Sequence, residues 1–186
     1  MLDIGCFVGH DLRRLVFDGA PSDRLYALDI VSHWDVGYSF FRDRDRFEAH
    51  FLEADIMHPN ADLSKLDGQV DIISIVHVLH QWNWDGQAKA CGNMSQLSKP
   101  GTTVVGFQIG SMDPEATREL SAPAVWQSPE TFRALWEEVG RATGTTWETQ
   151  AELRTYAEIG WNPKDTEYQG LGPYSRVLQF VVTRTE

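Results

Sequence analysis

The chain has 186 residues, 42% of them hydrophobic and 11% aromatic, and a formal net charge of -11. A chain of this size and composition forms one soluble domain with a continuous core that needs neither disulfides nor metals. The excess of carboxylates argues against nucleic acid and against anionic membrane as partners, because both are bound by clusters of Lys and Arg. Cys6 and Cys91 are its two cysteines and lack metal-ligand spacing, so free thiols in a reducing compartment are expected. No apolar run approaches the ~18 residues of a membrane span, and the amino terminus lacks the layout of a signal peptide. The expected location is the cytoplasm.

In chain order, Met1 to Ile4 reads as a short apolar strand, Gly5 to Gly9 as a tight glycine turn and Asp11 to Phe17 as a helix stopped by Gly19-Ala-Pro21. Such a turn offers backbone freedom and the free N–H groups of a helix start, which suits it to cradle a cofactor. Leu25 to Ile30 is a second strand with Asp29 near its end, where a carboxylate can accept hydrogen bonds from ribose hydroxyls. Ser32 and Asp35 mark the start of a helix running to about Phe41, with Trp34, Tyr38 and Phe41 on one face. Those aromatics read as core, with an adenine-edging role for Trp34 left open. Arg42-Asp-Arg-Asp-Arg46 cancels its own charge and reads as a solvated helix end.

Phe47 to Ala54 is the third strand, followed by Asp55, and Asn60 to Leu66 a short helix. Val70 to Val76 has the continuous apolar character of a central parallel strand. It runs into His77-Val-Leu-His-Gln-Trp82, at the strand end where open α/β sheets place ligands. Trp84 to Leu97 is a helix broken by Lys99-Pro-Gly101, and Thr102 to Ile109 the fifth strand. Gly110 to Gln127 lacks periodicity and reads as a lid-like segment ending in Trp126-Gln127. Ser128-Pro-Glu130 starts a helix with the stripe Phe132, Leu135, Trp136 and Val139. Thr146 to Thr155 and Arg176 to Thr183 are the last strands, separated by the loop Tyr156 to Tyr174 with its Gly160-Trp-Asn-Pro163 and Gly170-Leu-Gly-Pro173 breaks.

The turn is not a nicotinamide fingerprint, since positions 7 and 10 are Phe7 and His10. Asp3-x-Gly5-x-Phe7-x-Gly9 resembles instead the D-x-G-x-G-x-G motif of class I S-adenosylmethionine-dependent methyltransferases, without its middle glycine. Asp55, Asp71 and Lys99-Pro100-Gly101 follow as further landmarks in the family's order, and the wording resembles fungal meroterpenoid and other secondary-metabolite methyltransferases. The resemblance implies a Rossmann-like α/β fold: a seven-stranded, mostly parallel sheet with an antiparallel last strand and helices on both faces. It also implies S-adenosyl-L-methionine as cofactor, S-adenosyl-L-homocysteine as product, and transfer to a carboxylate or hydroxyl oxygen of a small polyketide or terpenoid.

Carried onto this chain, the cofactor-binding positions are Asp3, Gly5, Cys6, Phe7, Gly9, Asp29, Ile30, Ala54, Asp55, Ile56 and Val76, with Asp55 on the adenine amino group or else a turn former. His77 and His80 are the candidate catalytic residues, with core packing as the alternative, and Trp82 and Trp126 the candidate substrate contacts. No third ligand accompanies the histidines, so no metal is expected. Family members carry helices before the first strand that cover the cofactor. This chain opens within that strand, which leads to an expected open apolar surface of Phe7, Val8, Trp34 and the neighbourhood of Trp82, covered by a homodimer partner or another subunit. A cyclase or isomerase on the same fold, or a non-catalytic partner subunit, are the rival readings.

Overall fold

The computed structural model describes residues 1–118, 122–162, 164 and 171–186. Its strands are β1 (Leu2–Ile4), β2 (Tyr26–Asp29), β3 (His50–Glu53), β4 (Val70–Ile75), β5 (Ser98–Ser111), β6 (Trp147–Arg154) and β7 (Ser175–Arg184). The helices are α1 (His10–Phe17), α2 (Trp34–Phe41), α3 (Trp84–Leu97) and α4 (Pro129–Thr143). The strands form one seven-stranded sheet in the order β3-β2-β1-β4-β5-β7-β6. β1 pairs parallel with both β2 and β4, whereas β7 runs antiparallel between β5 and β6, as the resemblance implied. Strand order reverses between β1 and β4, so a crevice opens above their C-terminal ends.

Alternation along β1 sends Leu2 and Ile4 into the larger core and Asp3 to the opposite face. That larger core joins Ile73, Ile75, Val104 and Phe180 of the sheet to Met94 of α3 and to Phe132, Leu135, Trp136 and Val139 of α4. The α4 stripe is the one its sequence spacing gives. Its first turn is closed by a reciprocal capping box between Ser128 and Thr131, and Gly144 ends it in a left-handed conformation. A second core under α1 and α2 gathers Leu12, Ala27, Trp34, Phe47 and Ala49.

Several expectations are revised. The helix expected over Asn60 to Leu66 is a single 3-10 turn at Leu63–Leu66, because Asn60 Oδ1 accepts the Asp62 and Leu63 N–H groups and holds a turn instead. β3 starts at His50, since Phe47 and Ala49 are drawn into the second core. The Arg42–Arg46 run is not a uniformly solvated end: Asp43 is 6% exposed and lies 2.6 Å from Nε of the buried Arg13. Trp34 is core, stacked on Phe51, so it is no part of an open surface. Of the two long loops, residues 119–121 of the first, and Pro163 and residues 165–170 including Gly170 of the second, lie outside the described residues.

Candidate active site

The cradle is built by backbone geometry. Gly5 and Cys6 both direct their N–H groups to Leu28 O, at 2.8 and 3.2 Å, which ties the turn to the end of β2. The chain then turns through Phe7 at φ 49°, closes with a 2.7 Å bond from Gly9 N–H to Cys6 O, and enters α1 from Gly9 at φ 68°. A Cβ at Gly9 would lie 2.6 Å from the Trp34 ring, and one at Gly5 would lie 2.5 Å from Val78 Cγ2. Both positions therefore require glycine twice over, for φ and for space. Phe7 stands where the resembled motif has its middle glycine, and it adopts the left-handed backbone that a glycine would take there at lower cost.

Asp29 closes β2 beside this turn. Phe7 N–H donates to its Oδ2 at 2.9 Å and Val31 N–H to its Oδ1 at 3.4 Å, which holds the carboxylate at the strand end beside the turn. Ile30 follows it and is 67% exposed. Asp3 is buried on β1, in register with Ser74 of β4. Burial pushes its carboxyl up to about 6; the Ser74 hydroxyl opposes that rise, while the charges of Asp11 and Asp29 reinforce it. Cys6 is buried, and burial together with Asp3 and Asp29 pushes its thiol up to about 12, so it acts as packing and not as a nucleophile.

Beyond β3, Ala54 and Ile56 are buried and Asp55 is partly exposed. Asp55 Oδ1 accepts the Met57 N–H at 2.8 Å and Oδ2 meets His58 Nδ1 at 2.8 Å, so the turn-forming role is present. Desolvation, the largest single influence, raises its carboxyl, but the His58 and Met57 hydrogen bonds and the nearby His58 and Lys89 together outweigh it, and the net shift is downward. A lone pair on each oxygen remains for a ligand.

Above β4, Val76 is half-buried and His77 adopts φ 55°, anchored by its N–H to Phe107 O at 2.9 Å. A β-region chain reverses sharply here, and this local strain turns the His77 ring toward Phe107, His80 and Trp161. Trp161 stacks near-parallel on His77 at 5.9 Å and on Tyr156 at 5.7 Å. His77 Nε2 and His80 Nδ1 are buried with no hydrogen-bond partner among the described residues. Burial lowers the pKa of both, and burial followed by the neighbouring His77 takes His80 down to about 4. The pair is therefore neutral near pH 7. A cavity of about 420 Å³ adjoins it, lined by Phe107, Arg154, Glu158, Ile159, Trp161 and Gln179. The sequence did not single out Trp161 or Tyr156, because only the folding back of the β6–β7 connection brings them to His77, nor Phe107, which reaches His77 from the neighbouring strand β5.

Trp82 is half-buried against the larger core, and its carbonyl accepts Val125 N–H at 3.0 Å and Gln87 Nε2 at 2.9 Å. Trp126 is 8% exposed, packed with Tyr156, Leu171 and Val177. The two tryptophans are thus held on adjoining segments, Trp126 with little surface left for a ligand. Among the described residues no group of three His, Cys, Asp or Glu side chains is placed to hold a metal ion.

No protein-family profile matches the chain. It is 34% identical to O-methyltransferase atr3 of Stereocaulon alpinum over 94% of its own length and 53% of that protein's. It is 31% identical to O-methyltransferase phiE of a fungal species, over 89% and 63%, and 32% identical to Asnovolin E/Chermesin D methyltransferase nvfJ of Aspergillus novofumigatus, over 86% and 61%. The chain thus spans between 53% and 63% of the length of these relatives. Among solved structures, phosphoethanolamine N-methyltransferase 2 of Haemonchus contortus with S-adenosyl-L-methionine superposes with a TM-score of 0.71 at 14% identity, over 100% of this chain and 48% of that one. The [4+2]-cyclase SpnF superposes at 0.69 with 13% identity, over 98% and 74%, so the fold by itself is shared by enzymes of different reaction. Over most of its own length the chain is thus similar in sequence to fungal methyltransferases, and it shares its fold with solved S-adenosyl-L-methionine-dependent methyltransferases.

Proposed function

We propose that this domain binds S-adenosyl-L-methionine and transfers its methyl group to a carboxylate or hydroxyl oxygen of a small polyketide or terpenoid metabolite. The observation that carries the reading is the Asp29 carboxylate held at the strand end by the N–H of the glycine turn, in a chain 34% identical to a named O-methyltransferase. The residues present suit the cofactor: a turn closed to any Cβ at Gly5 and Gly9, a ribose-facing acceptor at Asp29 and a second carboxylate at Asp55. Bound there, S-adenosyl-L-methionine supplies an electrophilic methyl on a sulfonium, and S-adenosyl-L-homocysteine is left.

The chain's own contribution is positioning. Holding donor and acceptor in line can contribute about 7–11 kcal/mol to lowering the barrier. The aromatic wall of Phe107 and Trp161 excludes water, and the neutral His80 assists an acidic hydroxyl acceptor by accepting its hydrogen bond as the proton is lost. A carboxylate acceptor needs no base. The cyclase reading is weaker, because the named sequence relatives are methyltransferases.

Among the described residues no helix is long and apolar enough to cross a membrane. Two buried free thiols favour a reducing, cytoplasmic setting. Phe7, Ile30 and Val31 are each more than half exposed around the cradle, and this apolar rim supports a homodimer that covers it. Calorimetric titration with S-adenosyl-L-methionine, followed by product analysis with candidate acids and phenols, tests the function. Absence of cofactor binding overturns it, and light scattering reads the dimer.

A further inference from the structure

We propose that Arg13, locked by Asp43, is a positioning residue for the cofactor cradle: it holds the Val8 and Gly9 carbonyls and so sets the affinity for S-adenosyl-L-methionine. The inference rests on the proposed cofactor site and deepens it.

Arg13 lies on α1 with its side chain 7% exposed, and Asp43, 30 residues later, is 9% exposed. Its Nε donates to Asp43 Oδ2 at 2.6 Å and Nη2 to Asp43 Oδ1 at 3.3 Å, a two-pronged pairing that fixes the guanidinium plane. The remaining nitrogen, Nη1, donates to Val8 O and, at 3.4 Å, to Gly9 O. Those carbonyls belong to the turn whose opposite side bears the Phe7 N–H that aims Asp29. Four rings enclose the cation: Phe47 at 4.2 Å, Phe41 at 4.9 Å, and Trp34 and Tyr38 at 5.3 Å.

An ion pair buried in this way is a poor source of stability, because desolvation offsets the attraction. What the arrangement does supply is direction. The turn passes through left-handed backbone at Phe7 and Gly9; its Val8 carbonyl has the Arg13 fork as partner, and its Gly9 carbonyl accepts the Arg13 backbone N–H at 3.0 Å with Nη1 as a longer second donor. A lysine cannot serve four acceptor atoms from one planar fork, so Arg13→Lys is not conservative here.

The test compares wild type with the double variant Arg13→Met/Asp43→Leu, which removes both charges and leaves neither orphaned, and with Arg13→Lys. The expected result is a folded double variant with a melting temperature near that of wild type. Its dissociation constant for S-adenosyl-L-methionine rises by about 10-fold or more, the scale seen when outer supports of a binding site are lost. Amide hydrogen exchange is read alongside and should quicken at residues 5–11 while β4 and β5 keep their protection. Arg13→Lys should show the same faster exchange. A folded double variant with unchanged affinity and unchanged exchange in the turn overturns the proposal. If wild type itself fails to bind the cofactor, the functional reading falls, and the exchange at residues 5–11 still decides whether Arg13 holds the turn.

Discussion

Phe7 N–H reaches Asp29 Oδ2 at 2.9 Å across 22 residues of sequence. The residue that stands at the resembled motif's middle glycine is thus the one whose backbone holds the carboxylate proposed to meet the ribose. The cradle and its acceptor are one hydrogen-bonded unit, set before any ligand arrives, and such preorganisation lowers the ordering cost of binding.

Replacing Asp29 by Ala removes the carboxylate proposed to accept from two ribose hydroxyls and frees the Phe7 N–H. At roughly 1.5–3 kcal/mol for hydrogen bonds to a charged group, S-adenosyl-L-methionine should bind more than tenfold more weakly. Asp29→Asn keeps an oxygen for Phe7 N–H and should fall between the two. Equal calorimetric affinity for wild type and Asp29→Ala would remove Asp29 from the site.

Asp3 makes stability depend on pH. Its carboxyl is raised from 3.8 to about 6, first by burial. Below the unfolded value both states hold the proton; between the two values only the folded state does, so the stabilising effect of that proton is lost as pH rises through 6. Near neutrality the buried charge costs up to roughly 3 kcal/mol by linkage. Asp3→Asn should therefore melt higher than wild type at about pH 7.5, and the gain should disappear near pH 4. A gain of equal size at both values would assign the effect to packing instead.

His80 is the candidate base for a hydroxyl acceptor. With its pKa lowered to about 4, by burial first and by His77 second, it stays neutral well below pH 7. Turnover should be flat from about pH 8 to about 5.5 as far as this group is concerned. His80→Ala should lower turnover by roughly 10²–10⁴ with little change in cofactor affinity, and His80→Gln should not restore it. Undiminished turnover in both variants would make the histidine scaffold and favour a carboxylate acceptor.

The linear chain carried the order of strands and helices, the glycine turn, Asp29 at the end of β2 and the Ser128 cap, because each is a matter of local periodicity, turn chemistry or residue spacing. Most element boundaries fell within two or three residues of their final place for the same reason. Pairings between distant segments were decided by packing. Arg13 and Asp43 look like two more surface charges until α2 folds over α1 and buries them. Trp34 lies just after Asp29 in sequence, yet the second core absorbs it. His77 and His80 were visible as residues, but their neutrality comes from burial among Phe107, Trp161 and each other, which no spacing encodes. Residue type and period determine which elements form. Which side chains lose their water, and therefore which charges and protons survive, is set only when the sheet and its covering segments close on one another.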